Sequence, residues 1–129
     1  AYISARAIQF FTPGIPQVYY VGLLAGKNDE AKVKETGEGR EINRHNFSVE
    51  EIEKEVGKEV VQRLIKLIEF RNDYPAFNGK FKVIDTNNNE LILSWEKDHK
   101  ECTLYCDLLT NKSIIKYIDD NENLSIFNI

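Results

Sequence analysis

The sequence of 129 residues contains no methionine, not even at its first position. Translation starts on methionine, so the expectation is a processed or excised piece, and an opening on helical sequence, "YISARAIQFF", favours an internal cut. Positive charge is also in short supply. Seventeen Lys and Arg face 21 Asp and Glu, and a net charge of -4 with a pI near 5.3 supplies no basic field for nucleic acid or an anionic membrane. Long apolar runs are missing, which leaves nothing of the length that a membrane span requires. The first residues lack the basic region, apolar core and small-residue cleavage site of a secretory leader. These absences set the expectations of no nucleic-acid partner, no membrane partner and a cytoplasmic origin.

Cysteine is scarce as well, and its two positions exclude more than they offer. Cys102 and Cys106 lie in "ECTLYCDLL", a strand-like run, where four residues at about 3.3 Å each separate their Cα atoms by roughly 13 Å. A disulfide needs about 4.4 to 6.8 Å, so the two do not bridge each other in that conformation. With His99 they form H-x2-C-x3-C, which is one ligand short of a structural zinc site, so no metal is expected. Both thiols share one strand face with Leu104 and read as small core residues in a reducing compartment.

What is present organises the chain into two parts. "YISARAIQFF" places Ile3, Ala7, Phe10 and Phe11 at helical spacing. In "FFTPGIPQVYYVG", Pro13 and Pro16 fix their own φ and drive the residues before them extended, so the helix ends near Phe11. Gln17 to Val21 is then an aromatic and β-branched run of strand length, and its weak alternation predicts a strand buried on both faces. Residues 23 to 47, rich in glycine and mixed charge, read as a long loop, which in a compact domain is usually functional or disordered. Ser48 with Glu51 forms a capping box, and Gly57 is a stop signal. Val60, Val61, Leu64, Leu67 and Ile68 then form one stripe of a helix that ends before Pro75, with Glu55, Lys58, Glu59, Arg63 and Lys66 on its wet side.

After Asn78-Gly79 the pattern changes to short strand-like runs at 80–84, 90–95, 102–109, 113–118 and 124–129, separated by turn residues. Five strands with no helix between them predict an antiparallel meander or small sandwich. The expected division is therefore residues 1–78, α/β in character, and residues 79–129, antiparallel β.

"AIQFFTPGIPQVYYVGLLAGKND", followed by "GREINRHNFS" and a helix reaching "FRNDYPAFNG", resembles the C-terminal region of sucrose phosphorylases and their close relatives in the α-amylase superfamily. The resemblance implies an α+β fragment: the last strand and helices of a (β/α)8 barrel over residues 1–78, then a small antiparallel β C-terminal domain. It implies a retaining glycosyltransferase reaction in which sucrose or a related glucoside reacts with phosphate, the co-substrate, to give glucose 1-phosphate, with no cofactor. Its double displacement uses two carboxyl groups about 5 to 5.5 Å apart. In the family these come from earlier strands, so no catalytic residue is expected in this chain.

Arg40 in "GREINRH" matches the family's arginine that reaches the glucosyl subsite. A guanidinium stays charged at any working pH and offers a planar fork to hydroxyl, carboxylate and phosphate oxygens. Arg44 and His45 are further candidates for orienting Arg40 or lining the acceptor side, with a loop contact as the alternative for both. Glu41 reads as a partner for an arginine, and Lys27 and Asp29 as loop scaffolding, since "AGKND" lacks the spacing of a phosphate loop. An orphaned barrel strand at 17–21 would expose a sheet edge, giving the expectation of a homodimer through it or of mobility over residues 1–46. Two other function classes stay open: a carbohydrate-binding β module using Trp95, Tyr105 and Tyr117 as stacking platforms, and a plain structural domain. For Trp95, the shared parity with Leu91 and Leu93 favours the core.

Overall fold

A computed structural model of the chain describes residues 1–128. Five helices and five strands follow in the order α1 (Tyr2–Phe11), α2 (Tyr20–Leu23), α3 (Glu30–Thr36), α4 (Val49–Val56), α5 (Glu59–Asp73), β1 (Lys80–Ile84), β2 (Glu90–Lys97), β3 (Lys100–Asp107), β4 (Lys112–Ile118) and β5 (Leu124–Phe127), with 3-10 turns at Gly39–Asn43 and Pro75–Asn78. The strands form one antiparallel sheet in sequence order. The chain is thus α+β, with the expected meander. Among the described residues no helix is long and apolar enough to cross a membrane.

Two compact units divide the chain: residues 1–16 together with Lys66 onward, and Gln17–Ile65. The sheet groups with α1 and the end of α5 because it shares its core with them. Across the sheet's inner face the register aligns Leu93, Leu104 and Ile115 in one row and Phe81, Trp95, Cys102 and Tyr117 in the next. Against them pack the residues that helical spacing placed on one stripe of α1, and Ile3, Ala7, Phe10 and Phe11 are all buried. Phe11 meets Phe77 edge-on at 5.0 Å, and Phe70 stacks on Phe127 at 4.7 Å.

The exit of α1 is held from outside the helix. A helix leaves its last carbonyls without internal partners. Here the Trp95 indole donates to the Phe11 carbonyl at 2.7 Å, and Arg71 donates from Nε to the Phe10 carbonyl at 2.7 Å and from its terminal nitrogen to the Gly14 carbonyl at 3.2 Å. The guanidinium lies over the Phe77 ring, 4.3 Å from its centroid. Cys102 and Cys106 are buried free thiols on the inner face, and burial raises the pKa of both.

Within Gln17–Ile65 the structure corrects two expectations. Residues 17–21 do not form a strand: the backbone is extended to Tyr19 and then closes into the single-turn helix α2, with Leu23 and Leu24 donating back to Tyr19 and Tyr20. Strand-type side chains give a strand only where a ladder partner exists, and the five strands of the described residues pair with one another over 80–127. Burial on both faces fails too, since Tyr19 and Tyr20 are exposed and Val21 alone of the run is buried. The homodimer expected through that strand therefore has no strand edge there to form on. The second correction is residues 23–47, which carry α3 and the turn Gly39–Asn43 rather than one continuous loop. The capping box of α4 is present as read, with Ser48 Oγ accepting from the Glu51 amide and Glu51 accepting from the Ser48 amide.

Candidate functional site

All three candidate residues lie in the unit Gln17–Ile65, on or just after the turn that α3 leads into. Asp29 starts this arrangement. Its carboxylate accepts from the Lys32 amide at 2.9 Å, capping α3, while its own amide donates to the Ile42 carbonyl at 2.8 Å. The start of the helix is thereby tied to the turn Gly39–Asn43, and α3 places Lys32 next to that turn. Asp29 is scaffolding, as the sequence suggested.

Arg40 sits in the turn with Arg44 at its end, and Glu41 gathers the charges around it. The Glu41 carboxylate is 3.4 Å from Lys32 Nζ, 3.9 Å from Arg40 Nε and 4.0 Å from an Arg44 guanidinium nitrogen. Arg40 Nε is also 3.1 Å from Glu38. The Arg40 side chain is 63% exposed while that of Glu41 is 19% exposed. One sheltered carboxylate thus faces three cations, and the arginine fork keeps open donors. Glu41 is the arginine partner that the sequence indicated.

His45 belongs to a different feature. Its Nε2 is 3.3 Å from Glu51 Oε1, and its ring meets Phe47 edge-on at 4.6 Å. Together with Lys27, Asp29, Glu51 and Lys58 these two residues line an open cleft of about 360 Å³. One wall of the cleft depends on Gly26, where a Cβ would meet Val21 Cγ1 at 2.8 Å and the Phe47 ring at 3.2 Å. The cleft's three carboxylates already have partners: Asp29 caps α3, Glu51 closes the capping box and meets His45, and Glu55 pairs with Lys58. The Ser48 amide, and after it His45, holds the Glu51 carboxyl below its ordinary pKa. Lys27, read as scaffold, is a lining residue.

The structure therefore brings Arg40 and Arg44 together at Glu41 and separates His45 from them into the cleft. Sequence reasoning missed the Glu51 contact to His45. Its signal was a carboxylate six positions after the histidine, already assigned to a cap. This arrangement can bind an anion or a polyhydroxyl compound through arginine donors. Among the described residues no group of three or more His, Cys, Asp or Glu is arranged to hold a metal ion.

No protein-family model matches the chain. The chain is 64% identical over 121 residues to the sucrose 6(F)-phosphate phosphorylase of Thermoanaerobacterium thermosaccharolyticum, a match covering 94% of this chain and 25% of that protein. It is 51% identical to the glucosylglycerol phosphorylase of Marinobacter adhaerens over 92% of this chain and 25% of that one. The sucrose phosphorylase of Agrobacterium vitis is 48% identical over 88% of this chain and 23% of its own length. The crystal structure of sucrose 6F-phosphate phosphorylase from Thermoanaerobacter thermosaccharolyticum superposes with a TM-score of 0.95 at 59% identity, covering 99% of this chain and 26% of that one. The chain spans about a quarter of the length of the curated relatives it matches.

Proposed function

Because the chain belongs to the sucrose phosphorylase family, matching the C-terminal part of its relatives, we propose that it supplies the arginine loop of a retaining glycoside phosphorylase. The parent would be a hexosyltransferase that converts sucrose and phosphate to glucose 1-phosphate and fructose, with phosphate as co-substrate and no cofactor. Sucrose 6-phosphate is the alternative donor, on the similarity to a relative named for it. In this reading residues 1–78 complete a (β/α)8 catalytic barrel and residues 79–129 are its C-terminal β domain. The exposed side chains of Ile15, Tyr19 and Tyr20 would then pack against the remainder of the parent. The nucleophile and the acid/base pair, about 5 to 5.5 Å apart in a retaining enzyme, would come from that remainder. The two buried free thiols favour cytoplasmic action, and the acidic balance of charge favours neither a nucleic-acid nor a membrane partner.

The observation that carries this reading is the Arg40 guanidinium, largely exposed yet held between Glu38 and Glu41. Such a fork can grip sugar hydroxyls or phosphate oxygens without first finding its orientation, which lowers the cost of binding. Arg44 would share the Glu41 oxygen that Arg40 approaches, with Lys32 at the other oxygen, and His45 would line the neighbouring cleft. The test is Arg40→Ala in the purified parent enzyme. Surface ion pairs contribute little to folding, so stability should change by less than about 0.5 kcal/mol. Loss of a charged transition-state donor should lower turnover about 10²- to 10³-fold, with Arg40→Lys restoring part of it. Unchanged kcat/KM for both sucrose and phosphate would remove Arg40 from the site.

A further inference from the structure

The three aromatic residues that could serve as sugar platforms are sorted by the sheet. Trp95 is 6% exposed, and its indole N–H is used by the Phe11 carbonyl. Tyr117 lies on the inner face among Phe70 and Tyr74, with ring centroids 5.3 Å and 5.5 Å away. Tyr105 alone has the opposite parity and stands on the outer face, half-buried. There the register lines it up with Ile84, Ile92 and Ile114 in one row across β1 to β4. Lys116 Nζ lies over the Tyr105 ring, 5.0 Å from the centroid. In the register Lys116 is paired with Thr103, on one side of the Tyr105 row, and Asp107 with Lys112 on the other side. On that other side an open cleft of about 380 Å³ has Ile92, Tyr105 and Ile114 as its apolar lining, with Glu90, Asp107 and Lys112 around it.

We propose that this cleft is a second saccharide site, separate from the Arg40 loop, in which a glucose-type pyranose stacks on the Tyr105 ring. A pyranose has an apolar C–H face and a rim of hydroxyl groups. The face suits an aromatic ring between two isoleucines, and the rim suits carboxylates that accept and an ammonium that donates. The carboxylates are held in place before any ligand arrives. Asp107 Oδ1 accepts from the Leu109 and Thr110 amides at 2.9 Å and 3.0 Å, and Glu90 accepts from the Asn87 side-chain amide at 2.9 Å. A peptide strand is a poorer occupant, because β2, β3 and β4 are paired on both sides and the cleft offers no free ladder edge. The inner face is filled by α1 and the end of α5, so the outer face is the one left for a ligand. The choice of a glucose-type sugar rests on the phosphorylase reading above. The cleft itself does not.

The experiment is an amide-resolved NMR titration of the ¹⁵N-labelled chain with maltotriose, read at the β2–β4 row and at residues 40–45. Saturable shifts should appear at Ile92, Tyr105 and Ile114. Tyr105→Phe keeps the ring and should bind like the unaltered chain. Tyr105→Leu keeps apolar bulk without a flat face and should weaken binding about tenfold, the scale of one aromatic contact. The amide spectrum of each variant shows directly whether it is folded, and Glu90→Gln at an exposed position gives an independent reading of the rim, with weaker binding expected. No shifts at the row, or unchanged affinity in folded Tyr105→Leu, would overturn the site. Shifts confined to residues 40–45 would also overturn it while leaving the phosphorylase reading intact. Row shifts persisting in Arg40→Ala would support it even if Arg40 proved catalytically silent.

Discussion

Replacing Arg71 with Ala should cost about 3 kcal/mol of stability, an effect large for a side chain at the edge of a core. Three contacts are lost together. The bond to the Phe10 carbonyl is short and part-buried, and a charged donor in that setting contributes about 1.5 kcal/mol, at the low end for charged hydrogen bonds. The bond to Gly14 is solvent-exposed, so about 0.5 kcal/mol is the appropriate figure. The guanidinium over Phe77 contributes about 1 kcal/mol as a partly desolvated cation–π contact. Desolvation pulls the Arg71 pKa below its ordinary value, yet an arginine stays charged at any usable pH, so the loss should be insensitive to pH across the neutral range. Arg71→Lys should recover less than half, because one ammonium cannot serve two carbonyls four residues apart in the geometry of a fork. Urea denaturation of the purified chain reads this directly. The chain has one tryptophan, Trp95, whose ring centroid is 5.6 Å from the Arg71 guanidinium carbon, so its fluorescence follows the same region. A midpoint corresponding to less than about 0.5 kcal/mol of loss, with the slope unchanged, would refute the clamp.

Two further outcomes follow from local geometry. A Cβ on Gly79 would lie 2.0 Å from the Glu96 carbonyl oxygen and 2.7 Å from its carbon, both backbone atoms of the paired strand, so Gly79→Ala must displace β1 and should cost about 3 kcal/mol; an unshifted urea midpoint would contradict this. Tyr74 is held neutral by desolvation, with the Glu101 and Ile118 carbonyls at its hydroxyl, and its pKa is raised from 10.0 to about 12. A pKa raised in the folded state means that the stabilisation is complete below pH 10 and is lost as pH climbs from 10 to about 12. Comparing urea midpoints of the unaltered chain and Tyr74→Phe across that window isolates the effect, and parallel curves would disprove it.

The parts of the fold that were legible in sequence are those where one periodicity met one partner. Ile3, Ala7, Phe10 and Phe11 repeat at helical spacing and are buried together, and Leu93, Trp95, Cys102, Leu104 and Cys106 alternate and share the inner face. Residues 17–21 misled because strand propensity describes side chains, whereas a strand is made by a neighbour's amides and carbonyls. The helix α3 was invisible for the opposite reason. It buries no residue, so no apolar stripe marks it, and its signals were only the Asp29 cap and the run of good helix formers after it. In the turn, the pairing of Glu41 with an arginine was readable from the sequence, but which further cation shares its carboxylate depends on α3 delivering Lys32. The association of His45 with Glu51 was hidden because one carboxylate serves as both cap and ion-pair partner.

The order in which contacts close has a kinetic meaning. Each strand of the sheet pairs with its neighbour in sequence, so the meander needs only short loops and can form early. The bond from Trp95 to the Phe11 carbonyl spans 84 positions, and α1 can dock only after that much chain has been drawn together. The entropy of that closure grows only slowly with length, so docking is thermodynamically tolerable while the backbone is continuous. A single proteolytic nick between residues 17 and 65 would change its character. Docking of α1 would become a bimolecular event, and the fluorescence of Trp95 would depend on protein concentration.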